Sequence, residues 1–158
     1  MRELVTTIAI DAAPDRVWEV LTDFECYSEW NPFMRITGRA NEGARIAVEL
    51  YPPEGRGAAF RPTVTASEYG REFRWVGHLG VPGLFDGEHR FVLEPDADGE
   101  RTTLTHAETF RGVLSGVLFR AVGDNTEAGF RQMNEALKAR AESPAPDIAS
   151  GWADGNAS

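Results

Sequence analysis

The chain has 158 residues, 42% of them hydrophobic and 10% aromatic, which fits one domain with a sizeable core and excludes a disordered chain. Sixteen Lys and Arg against 25 Asp and Glu leave a net charge of −9, which argues against nucleic acid, a partner held through clustered cations, and equally against an anionic membrane surface. A single cysteine, Cys26, rules out an internal disulfide and any Cys-x-x-Cys metal site, and reads as a small buried hydrophobe.

The N-terminal stretch carries an acid at Glu3 and alternates, with Thr6, Ile8 and Ile10 on one side; it reads as a first strand over residues 3–11 and not as a signal peptide. Ala12-Ala13-Pro14-Asp15 opens a helix whose apolar side is Val17, Trp18, Val20 and Leu21. Phe24 to Trp30 reads as a second short helix stopped by Asn31-Pro32. Six strands follow: Arg35–Ala40, Ala44–Tyr51, Ala58–Ser67, Glu72–Leu79, Phe85–Glu94 and Arg101–Arg111, separated by Gly- and Pro-rich turns. Pro62 inside the third of these marks an edge or a bulge. Asp96-Ala97-Asp98-Gly99 has the opening of a calcium loop, but its twelfth position would be Ala107, so it reads as a hairpin turn.

The last element is a long helix over Gly112–Glu142, with Leu118, Val122, Phe130, Met133 and Leu137 on one stripe. Strands with one apolar face need a cover, and no other stretch is long enough to supply it. The expected architecture is α+β: a curved antiparallel sheet of seven strands gripping this helix over residues 1–142, followed by a flexible tail, 143–158, that contains Trp152. No run reaches the ~20 apolar residues that span a bilayer, so stable membrane insertion is not expected and the cytoplasm is the expected compartment.

Side-chain alternation carries the functional reading. Phe91 and Leu93 must face inward, so His89 does too; Leu104 and Phe110 bring His106 and Glu108 to the same face, with Thr103, Thr105 and Thr109 pointing out. A hairpin centred near Ala97-Asp98 sets His89 opposite His106 and Gly87 opposite Glu108; a two-residue shift would change the pairs and keep the faces. Three titratable groups on an apolar face must be bonded to one another, to water or to a ligand, because an unpaired buried polar group costs about 1–3 kcal/mol. Three readings stand open: an internal His106–Glu108 pair that fixes the hairpin, a polar cavity floor that recognises a ligand, or acid/base chemistry. Two His and a carboxylate also suit zinc, but nothing beyond residue type supports a metal there. Phosphate, dinucleotide, nucleophile-elbow and zinc-protease motifs are absent, so no cofactor is expected. His78 falls on the outward face.

Five short words in order carry a resemblance: Ile8-x-Ile10-x-Ala12 with Val17-Trp18; Trp30-Asn31-Pro32-Phe33; Phe73-Arg74-Trp75; Thr105-His106-x-Glu108-Thr109-Phe110-x-Gly112; and Phe130-x-x-Met133-Asn134-x-x-Leu137. The chain resembles the START-related SRPBCC superfamily, in particular its polyketide cyclase/dehydrase and lipid transport branch. The resemblance implies a helix-grip fold with an apolar cavity between sheet and C-terminal helix. Its members include lipid carriers, hormone binders and aromatase/cyclases.

The leading expectation is a carrier or sensor that binds one small hydrophobic or aromatic molecule. The candidate lining is Trp30, Phe33, Phe60, Phe73, Trp75, Phe85, His89, Phe91, Phe110, Leu118, Val122 and Phe130. The alternative is a cofactor-free cyclase/dehydratase with His106 and Glu108 as acid and base. A third reading is a protein–protein module, using loop aromatics and Trp152. A monomer or homodimer fits all three. Gly123, Gly129 and the polar run Asp124-Asn125-Thr126 thin the helix, so it is expected to bend or leave room over 123–129, as a lid and not a filling.

Overall fold

A computed structural model describes residues 1–144. The expectations for the tail fall, from residue 145 onward and including Trp152, outside the described residues. The elements run β1 (Arg2–Ile10), α1 (Pro14–Thr22), a 3-10 turn (Phe24–Cys26), α2 (Tyr27–Trp30), β2 (Met34–Thr37), β3 (Ala47–Leu50), β4 (Ala58–Phe60), β5 (Thr63–Glu68), β6 (Glu72–His78), β7 (Asp86–Pro95), β8 (Thr102–Arg111) and α3 (Ser115–Glu142). This is the α+β helix-grip class. Among the described residues the strands number eight and not seven, because the strand expected over 58–67 divides at Arg61-Pro62. Proline has no N–H for the ladder, so the chain cannot continue one pairing through it.

The strands form a five-stranded sheet, β1-β8-β7-β6-β5, and a three-stranded sheet, β2-β3-β4, all antiparallel. The two are stitched together beside Pro62: Arg45 bridges Thr63, the Gly43 and Val64 N–H groups donate to Val64 and Ala44 carbonyls at 2.8 Å, and Ile46 N–H donates to Pro62 C=O at 3.0 Å. A shift of register between Val64 and Ala66 adds the irregularity that proline foreshadowed.

The β7–β8 hairpin is where the expected register is corrected. His89 pairs with Glu108, Phe91 with His106 and Gly87 with Phe110, two residues from the pairing expected for a turn at Ala97-Asp98. The Asp96 carboxylate accepts the Glu100 and Arg101 N–H groups at 3.1 and 3.2 Å, which holds a longer loop. An even shift keeps every side chain on its face, so His89, His106, Glu108 and Phe110 all remain inward. On the outer face, Thr109 is not in water: Arg90 donates to its hydroxyl at 3.0 Å and roofs it, while also reaching Glu3 at 2.9 Å.

α3 begins three residues later than expected. Gly112 has φ +105°, and a Cβ there would lie 2.6–2.8 Å from the Leu84 and Gly83 backbone, so the chain turns at this glycine before the helix can start. Phe130, Met133 and Leu137 are fully buried against the sheet. The far end of α3 is tied to α1, where Arg16 donates to the Arg140 and Ala141 carbonyls at 3.4 Å, supplying partners for helix-end oxygens. No helix of the described residues is long and apolar enough to cross a membrane.

Candidate functional site

Alternation places Phe73, Trp75 and Gly77 of β6, and Gly87, His89 and Phe91 of β7, on the inner face. Gly77 pairs with Gly87. Two adjacent inward positions therefore carry no side chain, and a hole opens beside the large aromatics. The hole is an apolar cavity of about 350 Å³. Its walls are Phe60, Phe85, Phe110 and Leu50 from the sheet side, Ala121, Val122, Asn125 and Thr126 from α3, and Phe33. The loop over residues 52–57 closes part of the mouth. Asn125 clamps it: the Glu54 N–H donates to the Asn125 Oδ1 at 3.0 Å, and the Asn125 amide donates back to the Glu54 carbonyl.

Of the twelve candidate lining residues, Phe33, Phe60, Phe85, Phe110 and Val122 stand on this wall. Phe73, Trp75, His89, Phe91 and Phe130 lie behind it in the core, each at most 1% exposed. Trp30 packs its ring against Tyr27 at 5.0 Å, and Leu118 is half-buried; neither is on the wall. His78 does stand at the cavity, with its Nδ1 2.6 Å from the Asp86 carboxylate. Sequence reasoning also passed over Arg56 and the short side chains of Ala58, Ala59 and Ala121, whose only signal was smallness.

α3 is both lid and filling. Room exists against Ala121 to Thr126, but not at Gly129: a Cβ there would overlap the Phe33 ring, with Cζ at 3.0 Å and two further ring carbons closer. Gly129 is thus a seat for Phe33. One residue on, Phe130 stacks flat on His106, with ring centroids 3.9 Å apart and planes at 12°.

Glu108 is the carboxylate on the cavity wall, its side chain 13% exposed. Behind it runs a buried polar chain. The Glu108 Oε2 lies 3.4 Å from His89 Nδ1. His89 Nε2 is 2.8 Å from His106 Nε2, and His106 Nδ1 is 2.8 Å from Asn134 Oδ1. Asn134 Nδ2 donates to the Thr6 hydroxyl, which donates to the His106 carbonyl, both at 2.9 Å. His106 does not meet Glu108 directly, as one of the three open readings had it; His89 stands between them. Both imidazoles are sandwiched, His89 lying flat against Trp75 at 4.4 Å. Burial, then repulsion from His89, hold the His106 pKa well below 6.5, with the bond to Asn134 opposing them. Asn134 and Thr6 complete the chain, and both were legible as polar residues on apolar stripes.

Among the described residues no group of three or more His, Cys, Asp or Glu side chains is arranged to hold a metal ion. Cys26 is half-buried, and hydrogen bonds to Asp23 and then Glu29 raise its thiol to about 11, which keeps it protonated at neutral pH.

An apolar cavity between a wrapped sheet and a long C-terminal helix defines a helix-grip protein. The sequence model of the family described as polyketide cyclase/dehydrase and lipid transport matches residues 1–142, and the chain belongs to that family. Solved structures share the fold. A Chromobacterium violaceum protein superposes with a TM-score of 0.69 at 19% identity, over 90% of this chain and 98% of that one. A START superfamily protein from Mycobacterium smegmatis gives 0.65 at 20% identity, over 89% and 97%. The Zhui aromatase/cyclase from Streptomyces sp. R1128 gives 0.63 at 19% identity, over 89% and 93%. No curated protein sequence matches the chain.

Proposed function

We propose that the protein holds one small hydrophobic or aromatic molecule, lipid-like or polyketide-like, in the cavity between sheet and α3, and acts as its carrier or sensor in the cytoplasm. The observation that carries this reading is the cavity: about 350 Å³, walled by Phe33, Phe60, Phe85 and Phe110, with Glu108 as an inward polar group. Ligand sites for small molecules have this composition and a volume of roughly 300–1,000 Å³. The single cysteine suits a reducing compartment.

A second reading rests on one observation, the Glu108 carboxylate at the wall backed by His89. An acid/base cyclase or dehydratase would use such a couple on a bound polyketide-like substrate, and one structural neighbour is named an aromatase/cyclase. Glu108→Gln separates the two: under the carrier reading binding weakens modestly, while under the enzyme reading turnover is lost and binding stays.

The direct test of the carrier reading is native mass spectrometry of freshly purified protein, followed by titration with the neutral dye N-phenylnaphthylamine. A co-purifying molecule, or saturable dye binding with one site per chain, is expected. Val122 is 45% exposed yet lines the cavity, so Val122→Trp should fill it and abolish dye binding while the melting temperature stays within about 2 °C. A protein that carries nothing and takes no dye would overturn the reading.

A further inference from the structure

The polar chain behind Glu108 runs in one direction only. The Thr6 hydroxyl has one hydrogen, and spends it on the His106 carbonyl at 2.9 Å. Its lone pairs therefore receive the Asn134 Nδ2 at 2.9 Å, which turns the Asn134 Oδ1 toward His106. An amide oxygen cannot donate, so at 2.8 Å the His106 Nδ1 carries the hydrogen. Burial keeps that ring singly protonated, so its Nε2 is a bare lone pair. The His89 Nε2, 2.8 Å away, must then be the donor. That leaves the His89 Nδ1 facing the Glu108 Oε2 at 3.4 Å. A proton between these two atoms would sit on Nδ1 or on Oε2. In either case the other carboxylate oxygen of Glu108, Oε1, has only lone pairs to offer. It sits over Gly87, where a Cβ would come within 2.8 Å of it; both residues belong to the cavity wall.

We propose that the one-way chain Thr6–Asn134–His106–His89 makes Glu108 an acceptor toward the cavity, so that the site selects an apolar ring system bearing a hydroxyl or N–H donor over the bare hydrocarbon and over a carboxylate anion. This rests on the cavity being the binding site. Glu108 is the specificity-determining residue. Thr6, Asn134 and His106 are positioning residues, because they act only by fixing which ring nitrogens carry hydrogen. Trp75 and Phe130 flank the two rings, and the titratable groups facing His89 are His106 and Glu108.

Two measurements test it on the intact chain. Long-range nitrogen–proton NMR of the imidazoles, without ligand and at neutral pH, is expected to show His106 protonated at Nδ1 and bare at Nε2, and His89 protonated at Nε2. Hydrogen at the His106 Nε2 would overturn the chain. Asn134→Leu should release His106 to the other tautomer, which a merely space-filling Asn134 would not do. Calorimetric titration with naphthalene, naphthol and naphthoate is then expected to give naphthol roughly tenfold tighter than naphthalene, as one added hydrogen bond allows, with naphthoate weakest. Glu108→Leu should erase that preference while naphthalene still binds. Equal binding of naphthol and naphthalene, or a preference that survives Glu108→Leu, would overturn the inference and leave the cavity reading standing. Failure of all three probes to bind would overturn the cavity reading and this inference with it.

Discussion

Alanine in place of Gly129 is expected to destabilise the protein by about 2 kcal/mol, lowering the melting temperature by roughly 4–8 °C. Helix propensity alone points the other way, since glycine inside a helix costs about 1 kcal/mol relative to alanine. The packing decides the sign. The new methyl would overlap the Phe33 ring, which is 1% exposed and meets Phe130 edge-on at 5.8 Å. A ring held on that side by Phe130, and by the Asn31 side-chain Oδ1 accepting the Phe33 and Met34 N–H groups at 3.0 Å, has little freedom to retreat. Denaturant unfolding checks this, and Phe33→Leu in the same chain should recover part of the loss as a coupling between touching sites. A variant as stable as the parent, or more so, would show that Gly129 is a weak point of the helix and not a seat for Phe33.

Phe130→Ala should be costlier, about 3–5 kcal/mol, because a fully buried ring is removed and a hole is left. It should also change a titration. The His106 pKa is held well below 6.5 chiefly by burial, and the flat stack of Phe130 on its ring is part of that burial. In the parent, the unfolded chain binds a proton on this residue near its ordinary value while the folded one does not. The unfolded state therefore holds more protons below about pH 6.5, and this residue's contribution to stability falls as the solution is acidified from there toward the folded pKa, by at most about 1.4 kcal/mol per pH unit. In Phe130→Ala water reaches the ring, the folded pKa moves back up, and the slope flattens. Residue-specific NMR of the His106 ring between pH 7 and 5 reads both states. A His106 that titrates at its ordinary value in the parent would contradict this account of its surroundings.

Much of the fold was legible because strands and helices announce themselves by period, and because an error of two residues in a hairpin is harmless to faces. The inward set His89, His106, Glu108 and Phe110 survived such an error in the β7–β8 turn. Their partners did not survive it, since pairing depends on a loop held by the Asp96 side chain, and a short run of Asp and Gly does not declare loop length. Pro62 announced a break but not that the break would divide the strand.

The site was legible in part for a related reason. Alternation tells which face a side chain takes, not how far along the strand the cavity lies. Phe73, Trp75 and Phe91 share their face with Gly77 and Gly87, yet only the glycine end of those strands opens. Depth along a sheet depends on what α3 brings opposite, and that is set by tertiary packing. The two inward glycines were the usable signal: paired across β6 and β7, they bring no side chain of their own to the cavity wall. Thr6 and Asn134 gave a similar signal, each a lone polar residue on an apolar stripe.

The most direct test of a ligand site between sheet and helix is an amide NMR titration with naphthol. Gly77, Gly87, Phe110, Val122 and Thr126, all on the cavity wall, are expected to shift together and saturate at one molecule per chain. The distant pairing of Glu72 with Val92 should stay still. Shifts confined to the exposed apolar residues Val81, Val113 and Val117, or no saturable shift at all, would contradict it.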